Sequence, residues 1–530
     1  MANDIDRLSV DYQPRQQPEA KGRQPTPQQQ ALYDAVRDGT EHLVGEALAG
    51  TGKTTTAVGC LAQGVRGKAG FVAFNRHIAE ELKSRLPPHV RSCTLHSLGF
   101  AAVRRAFPDV QLDETKLARH SRQHGQHLSV LDRQSAERLC QLAKYTLATE
   151  GHGYPSEGAY AELADHYGVE LPEDAGPVFD LATTLLKLSA DRTATVDFDD
   201  MVWLPVQLRL RPEQFDLLLV DEAQDLNRCQ QRLALAAAGG GRLCPVGDRH
   251  QAIYGFSGAD CDAIPRLAGE LALTPRRCRT LPLTVTFRCP TSHVALARRI
   301  VPALEAAPGA IDGVIRTTGL KEVAASVQPG DLVVGRKNAP LVSLTYKLVL
   351  AGVRATMRGR DIGRGLLSLI ARLKPDDVPD LIRRLERYRQ QEEARLIERD
   401  AAASAFQSLE DRCDCLGQLA SQAESLDALE RFIASVFDDS AKPGAAVVLS
   451  SVHRAKGLEA DRVYVLDPAS LPLTFRDQRA WEAVQERNLC YVAATRAKRE
   501  LVFEDFVPRI FGDVPCTDAT SGTTEPKSSM

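Results

Sequence analysis

The chain has no C-x-x-C pair, no internal repeat, no apolar run of transmembrane length and no surplus of positive charge. Each absence removes a class of protein. Of the 12 cysteines, only Cys413 and Cys415 lie close together, flanking one Asp in "DRCDCLG". That usage fits neither a disulfide framework nor a zinc ribbon, and it suits reduced thiols in a cytoplasmic compartment. The N-terminal "MANDIDRLSVDYQPRQQPEAKGRQPTPQQQ" has no apolar centre of the signal-peptide kind, so no membrane partner is expected. With 66 Lys and Arg against 69 Asp and Glu, the formal net charge is −3. Any nucleic acid must then be held in a local channel rather than on a uniformly basic surface.

What is present is an ordinary globular composition, 43% hydrophobic and 25% charged, on 530 residues, which is enough for several domains. Short apolar runs end directly in polar loops: "HLVGEALAG", "GFVAFN", "FDLLLVDEAQD", "RLCPVGD", "DLVVGRKN", "AVVLSSVH" and "DRVYVLDP". Buried parallel strands carrying chemistry at their C-terminal ends have this pattern. The runs form two clusters, before and after about residue 278, each interrupted by polar helical sequence. The expected fold is α/β, with two domains built on parallel sheets and a mostly helical insertion in each.

The boundaries expected are a flexible arm at 1–24, a first domain at 25–100 and 196–277, and its insertion at 101–195. A second domain follows at 278–360 and 441–512, with an insertion at 361–440 and a flexible tail at 513–530. Within the later insertion, Leu381, Leu385 and Tyr388 share one face of a charged helix. His120, His124 and His127 read as a solvated polar face rather than a metal site. Gly125 interrupts their helix, and no carboxylate or cysteine completes a ligand set.

The most informative stretch is "EALAGTGKTTTAV". Backbone amides around Gly50 and Gly52 can surround phosphate oxygens at a helix N-terminus. Lys53 can reach the β and γ phosphates, and the Thr54 hydroxyl can ligate Mg²⁺. The first glycine of the usual G-x-x-x-x-G-K-[ST] pattern is Ala47 here. A second acidic element strengthens the reading. "FDLLLVDEAQD" is an apolar strand ending in Asp221, suited to hold Mg²⁺, and Glu222, suited to deprotonate a water.

Around these motifs the sequence resembles a superfamily 1 DNA helicase of the UvrD/Rep type, from about residue 25 to 512. "PTPQQQ" resembles the adenine-reading Q motif, with Gln29 at its glutamine. "FVAFNRHIAEEL" and "TLHSLGF" resemble DNA-contacting motifs, and "VDFDDMVW" the element before the acidic strand. "VGDRHQAIYGFSGAD" resembles motif III, "LTVTFRCP" motif IV, "SSVHRAKGLEADRVYV" motif V and "ERNLCYVAATRAKREL" motif VI. The resemblance implies two RecA-like P-loop domains with ATP between them.

It further implies that Ala49, Gly50, Thr51, Gly52, Lys53, Thr54 and Thr55 form the phosphate loop. Arg288 and Arg496 would reach the γ-phosphate, Gln251 would sense it, and Glu459 would lie near the sugar and phosphates. Phe287 stands at the position that stacks on adenine, although a Phe after an apolar stretch equally suits a core. Along the single strand the candidates are Phe74, Asn75, Thr94, His96, Tyr254, Phe256, Asn338 and His453. Phe256 matches the family's stacking aromatic, while Phe74 and Tyr254 are equally compatible with core packing.

Three departures stand out. Ser257 replaces the arginine that usually follows in motif III, so one phosphate or coupling contact is either missing or supplied elsewhere, with Arg249 as a candidate. Thr55 replaces the arginine after the P-loop threonine. The insertion at 361–440 is much shorter than the 2B subdomain of long bacterial members. After motif VI, "LVFEDFVPRIFGD" reads as a hairpin offering Phe506 or Phe511 as a strand-separating wedge.

The activity expected from the resemblance is ATP- and Mg²⁺-dependent 3′–5′ unwinding, acting on single-stranded DNA and duplex junctions alongside repair or replication proteins. The rivals are a translocase that strips proteins from DNA with little unwinding, and a nucleotide-dependent switch without motor activity.

Overall fold

The computed structural model describes residues 24–512 apart from 150–152, 192, 256–257, 260–261, 399–400, 402, 438–443 and 477. Runs without polar alternation become central strands, because a strand covered on both faces has no solvent side. The first sheet has six parallel strands in the order Arg91–Cys93, Ala69–Val72, Leu217–Val220, Arg242–Gly247, His42–Ala47 and Cys278–Leu283. The second, also six-stranded and parallel, runs Val314–Thr318, Ala497–Glu504, Ala460–Leu466, Leu332–Gly335, Val447–Ser451 and Ala355–Met357. Each of the quoted apolar runs forms a strand, and two parallel sheets with helical insertions make the α/β architecture expected.

One boundary needs correction. The second domain does not open at 278, because Cys278–Leu283 runs in register beside His42–Ala47 as an edge of the first sheet. Its partly exposed edge lacks the continuous apolar run that marks a central strand. The chain therefore leaves the first lobe at Leu283. Thr286, Phe287 and Arg288 follow at once and fall on the seam between lobes.

The first insertion contains helices Lys116–His124, Val130–Thr146, Glu157–Tyr167 and Gly176–Asp191. It is fastened to the first lobe by buried charge. Lys116 Nζ lies 2.6 Å and Lys144 Nζ 2.7 Å from the Asp200 carboxylate, on helix Phe198–Gln207. His120 departs from the expected solvated face: it is buried beside His124, ring centroids 6.1 Å apart. Gly125 does end that helix.

The second insertion contains helices Arg360–Leu373, Val378–Glu398, Ala403–Ala420 and Leu426–Val436. Leu381, Leu385 and Tyr388 are buried together with residues of the second sheet, as their spacing implies. No described helix is long and apolar enough to cross a membrane.

The expected terminal hairpin is absent. Strand Ala497–Glu504 is flanked by parallel partners on both sides, and the chain then enters the short turn Arg509–Phe511. Phe511 is fully buried near Phe503, so it cannot serve as a wedge, whereas Phe506 is exposed.

Candidate active site

Strand His42–Ala47 delivers the chain into a tight loop that opens helix Lys53–Ala62. Gly50 and Gly52 take φ of 73° and 78°, a left-handed conformation that glycine adopts without strain. At Gly50 there is also no space. An added Cβ would lie 2.4 Å from Thr286 Oγ1 and 2.7 Å from the Arg288 Cβ. The phosphate loop is thus pressed against the segment that opens the second lobe, and Phe287 N donates to Gly50 O at 2.8 Å.

Behind the loop, Gln29 Nε2 donates to Thr56 Oγ1 at 2.9 Å, and Gln29 Oε1 accepts from Thr26 N at 3.0 Å. With a bond at each end of its amide, Gln29 braces the P-loop helix. Its neighbour Gln28 forks onto Thr284, accepting from the main-chain N and donating to Oγ1, both at 2.8 Å. Ala49 and Thr51 are buried, while Thr55 is exposed.

Thr54 Oγ1 donates to Asp221 Oδ2 at 2.7 Å. A hydroxyl and a carboxylate held this close form the hard oxygen set that Mg²⁺ prefers. Burial, helped by the Glu222 charge, pushes Asp221 up to about 6. Burial also opposes ionisation of Glu222, but Lys53 and Lys456 outweigh it and hold that carboxyl at about 2. Lys53 Nζ lies 3.7 Å from Glu222 Oε2. Two adjacent carboxyls are thereby split. One is held toward its neutral form and the other stays ionised.

A line of hydrogen bonds leaves Glu222. Gln224 Nε2 donates to Glu222 Oε2 at 2.5 Å, Asp248 N donates to Gln224 Oε1 at 2.9 Å, and Gln251 Nε2 donates to Asp248 Oδ2 at 2.7 Å. Gln251 is therefore joined to the acidic pair without touching it.

From the second lobe, Arg288 Nε donates to Glu459 Oε2 at 2.5 Å, and Lys498 Nζ lies 2.6 Å from Glu459 Oε1. Burial resists the Glu459 charge, yet Arg288 and Lys498 hold its carboxyl at about 2. Arg496 is buried and donates to Val492 O at 2.9 Å and Leu458 O at 3.3 Å. Burial and the neighbouring Arg288 lower it to about 10, and its charge reaches Glu222. Arg288 lies against Gly50 of the phosphate loop, whereas Arg496 bonds within its own lobe and reaches the first lobe only through its charge on Glu222.

Sequence reasoning missed three residues that close this seam. Ala49 N donates to Tyr491 Oη at 3.0 Å. Asn488 Nδ2 donates to Ala252 O at 2.9 Å and Arg249 O at 3.2 Å. Lys456 grips Asp225. All three lie inside the quoted motifs V and VI, but a Tyr in an apolar stretch reads as core. Nothing local marks which Lys or Asn faces another lobe. Arg249, the candidate for the motif III contact that Ser257 lacks, lies 3.9 Å from Glu46 Oε1.

The nucleic-acid candidates divide. Phe74 and Tyr254 stack with centroids 6.4 Å apart, Lys456 lies 5.1 Å over the Tyr254 ring, and Tyr254 Oη donates to His453 O at 3.4 Å. Three motifs thus meet in one aromatic cluster. Burial, with Arg336 and Arg454 nearby, drives His453 well below the ordinary histidine range. Asn75 and Thr94 act as helix caps, accepting from Ile78 N at 2.9 Å and Ser97 N at 3.1 Å, and His96 follows in the first turn. Asn338 does not join them. It opens helix Asn338–Leu350, and its Nδ2 donates to Asp411 Oδ2 of the second insertion at 2.7 Å. Phe256 and Ser257 lie outside the described residues.

The UvrD/REP helicase N-terminal domain model matches residues 26–271, and the UvrD-like helicase C-terminal domain model matches 376–505. The chain is similar to F-box DNA helicase protein 1 of Schizosaccharomyces pombe, 23% identical over 95% of this chain and 60% of that protein. It is similar to ATP-dependent DNA helicase UvrD2 of Mycobacterium tuberculosis, 27% identical over 86% of this chain and 75% of that protein. ATP-dependent DNA helicase PcrA of Staphylococcus aureus is 40% identical over 14% of this chain and 11% of its own length. With N- and C-terminal helicase domains matched in order on two parallel-sheet lobes, the chain belongs to the UvrD/Rep type of superfamily 1 helicases.

Proposed function

We propose that the chain is an ATP-dependent DNA helicase that moves 3′ to 5′ on single-stranded DNA and separates strands at duplex junctions. DNA repair, recombination or replication is the setting, with proteins of those processes as partners. The observation that carries the reading is the seam. Gly50 of one lobe backs directly onto Arg288 of the other, and Glu222 responds to charges from both.

In this reading the amides of Gly50, Gly52 and Thr55 and the Lys53 ammonium hold the triphosphate, while Ala49 and Thr51, whose amides bond to Tyr491 Oη and Leu48 O, keep the loop in shape. Thr54 and Asp221 would hold Mg²⁺, which when bound neutralises charge on the phosphate oxygens. Glu222 takes a proton from the attacking water. Arg288 and Arg496 meet the charge that develops on the γ-phosphate. Gln251, linked to Glu222 through Gln224 and Asp248, carries the change toward Tyr254 and Phe256. Loss of the γ-phosphate removes the anion that draws the two lobes together, so the seam opens and closes with each turnover.

The burial of Phe511 favours a second reading, a translocase that displaces bound proteins and unwinds poorly. The test is unwinding of 3′-tailed and 5′-tailed duplexes with ATP, on DNA and RNA tracking strands, beside displacement of streptavidin from biotinylated single strands. Opening of the 3′-tailed DNA duplex alone is the expected result. Streptavidin displacement without unwinding selects the translocase, and no stimulation of ATPase by single-stranded DNA sinks both.

A further inference from the structure

Helix Ala480–Ala494 spans about 22 Å at the usual rise per residue, and one stripe of it touches the first lobe and its insertion at four positions. Those positions are Trp481, Gln485, Asn488 and Tyr491, spaced four, three and three residues apart, which places them along one side of a helix. Every one of them contacts main-chain groups. Trp481 Nε1 donates to His166 O at 2.9 Å, and Gln485 Oε1 accepts from Gly255 N at 2.9 Å. Asn488 donates to the carbonyls of Arg249 and Ala252, and Tyr491 accepts from Ala49 N. One rigid element therefore links the first insertion, the motif III loop and the phosphate loop, and Arg496 follows two residues beyond its end.

Trp481 holds the end farthest from the nucleotide. The carbonyl it meets lies in the last turn of helix Glu157–Tyr167, where main-chain oxygens lack partners within the helix. Arg479 donates to Asp165 O in the same turn. The rings of His166 and Tyr167 lie 6.0 and 6.4 Å from the Trp481 ring. On its other side the indole packs against Gly255, where an added Cβ would fall 2.6 Å from the ring. Gly255 directly precedes the aromatic expected to stack on a base. The indole N–H is the only donor this side chain has, and it is given to another domain.

We infer that Trp481 is a positioning residue. It registers the placement of the first insertion and the motif III loop on the helix that carries Tyr491 and leads to Arg496, while the Asn488 and Tyr491 bonds hold the nucleotide end of that helix by themselves. The inference rests on the reading that single-stranded DNA stimulates hydrolysis. It assigns the stimulation, rather than the basal reaction, to this contact. A plain structural staple between domains would alter stability or both rates alike.

The test uses the full chain and its W481A, W481F, G255A and W481A/G255A variants. ATPase is measured with and without saturating oligo(dT), and thermal melting is recorded for each. In W481A the stimulated kcat is expected to fall about tenfold, the scale of one lost hydrogen bond plus a ring contact. Its basal rate, KM for ATP and melting temperature should stay put. W481F keeps the ring against Gly255 and loses the bond to His166, so it should fall between. G255A should lower stimulation in the wild type but cost much less in W481A, where the indole is gone and only the end of the Gln485 side chain, 3.0 Å from the added methyl, has to shift. Equal loss of basal and stimulated rates, or full stimulation in W481A, overturns the inference while leaving the proposed function standing. A wild-type chain that oligo(dT) does not stimulate overturns both.

Discussion

Lys456 of the second lobe donates to both carboxylate oxygens of Asp225 in the first, at 2.7 and 2.5 Å, and to Gln251 O at 2.8 Å. The two side chains are 8% and 2% exposed, so all three ammonium protons are satisfied by protein rather than by water. Such a pair contributes little net stability over an apolar one, but deleting one partner leaves a buried charge uncompensated, at about 3–5 kcal/mol. The lobes are therefore sensitive to this single lysine.

Lys456→Met should move the acid limb of the ATPase profile. Lys456 is one of the cations that hold Glu222 at about 2, against the effect of burial. Removing it raises the Glu222 pKa, and a base is lost when it is protonated, so activity must fall first at low pH. Stimulated ATPase measured down to about pH 4 should show the variant losing proportionally more rate than the wild type at the acid end. A uniform loss across the range would separate Lys456 from the base.

Glu222→Gln should abolish turnover yet retain ATP binding, because the amide cannot accept the water's proton while Lys53 and the loop are untouched. Lys53→Ala should lose both, since the ammonium 3.7 Å from Glu222 is the P-loop's own positive charge. Titration with a fluorescent ATP analogue beside single-turnover hydrolysis distinguishes the two. Near-normal hydrolysis in Glu222→Gln removes the proposed base.

Asp221→Asn should stabilise the protein when nucleotide and metal are withheld, and only above mildly acidic pH. The native carboxyl titrates at about 6, above the ordinary 3.8, because burial and Glu222 disfavour its charge. A group shifted upward contributes stability below its unfolded pKa and loses it as pH rises through the folded one. Melting curves in EDTA should therefore coincide near about pH 4 and separate in favour of the Asp221→Asn variant by about pH 8. Excess Mg²⁺ and ATP should reverse the order, since the ionised Asp221 carboxylate is a far better Mg²⁺ ligand than the neutral amide and binding adds to the stability of the native protein alone.

The strands and phosphate loop are legible in the sequence because their signals are local. A run such as Leu217–Val220 is buried at every position, and a P-loop needs its glycines where φ is positive. Cys278–Leu283 reads as part of the wrong lobe because an edge strand carries only part of that apolar signature. Phe511 reads as a wedge for a related reason: aromatic residues near a chain's end look alike whether a core receives them or not. The seam is the least legible part. Tyr491, Asn488 and Lys456 meet main-chain atoms more than 200 residues away, and a main-chain group offers no side-chain identity for a sequence pattern to match.

Arg496→Lys should lower kcat nearly as far as Arg496→Ala. The guanidinium reaches Val492 O, Leu458 O and Thr495 Oγ1 at once, through three different nitrogens. An ammonium on a flexible stem cannot reproduce that fixed fork, even though it keeps the charge. It also sits where burial and Arg288 already lower the arginine to about 10, so a lysine there would surrender its proton more readily. An arginine acting on a transferring phosphoryl group contributes about 10³ to 10⁵ in rate. Loss of that order in single-turnover hydrolysis, with ATP affinity reduced far less, is the expected result. A lysine variant with wild-type kcat would mean that Arg496 serves only the main chain around it, leaving Arg288 to meet the phosphate alone.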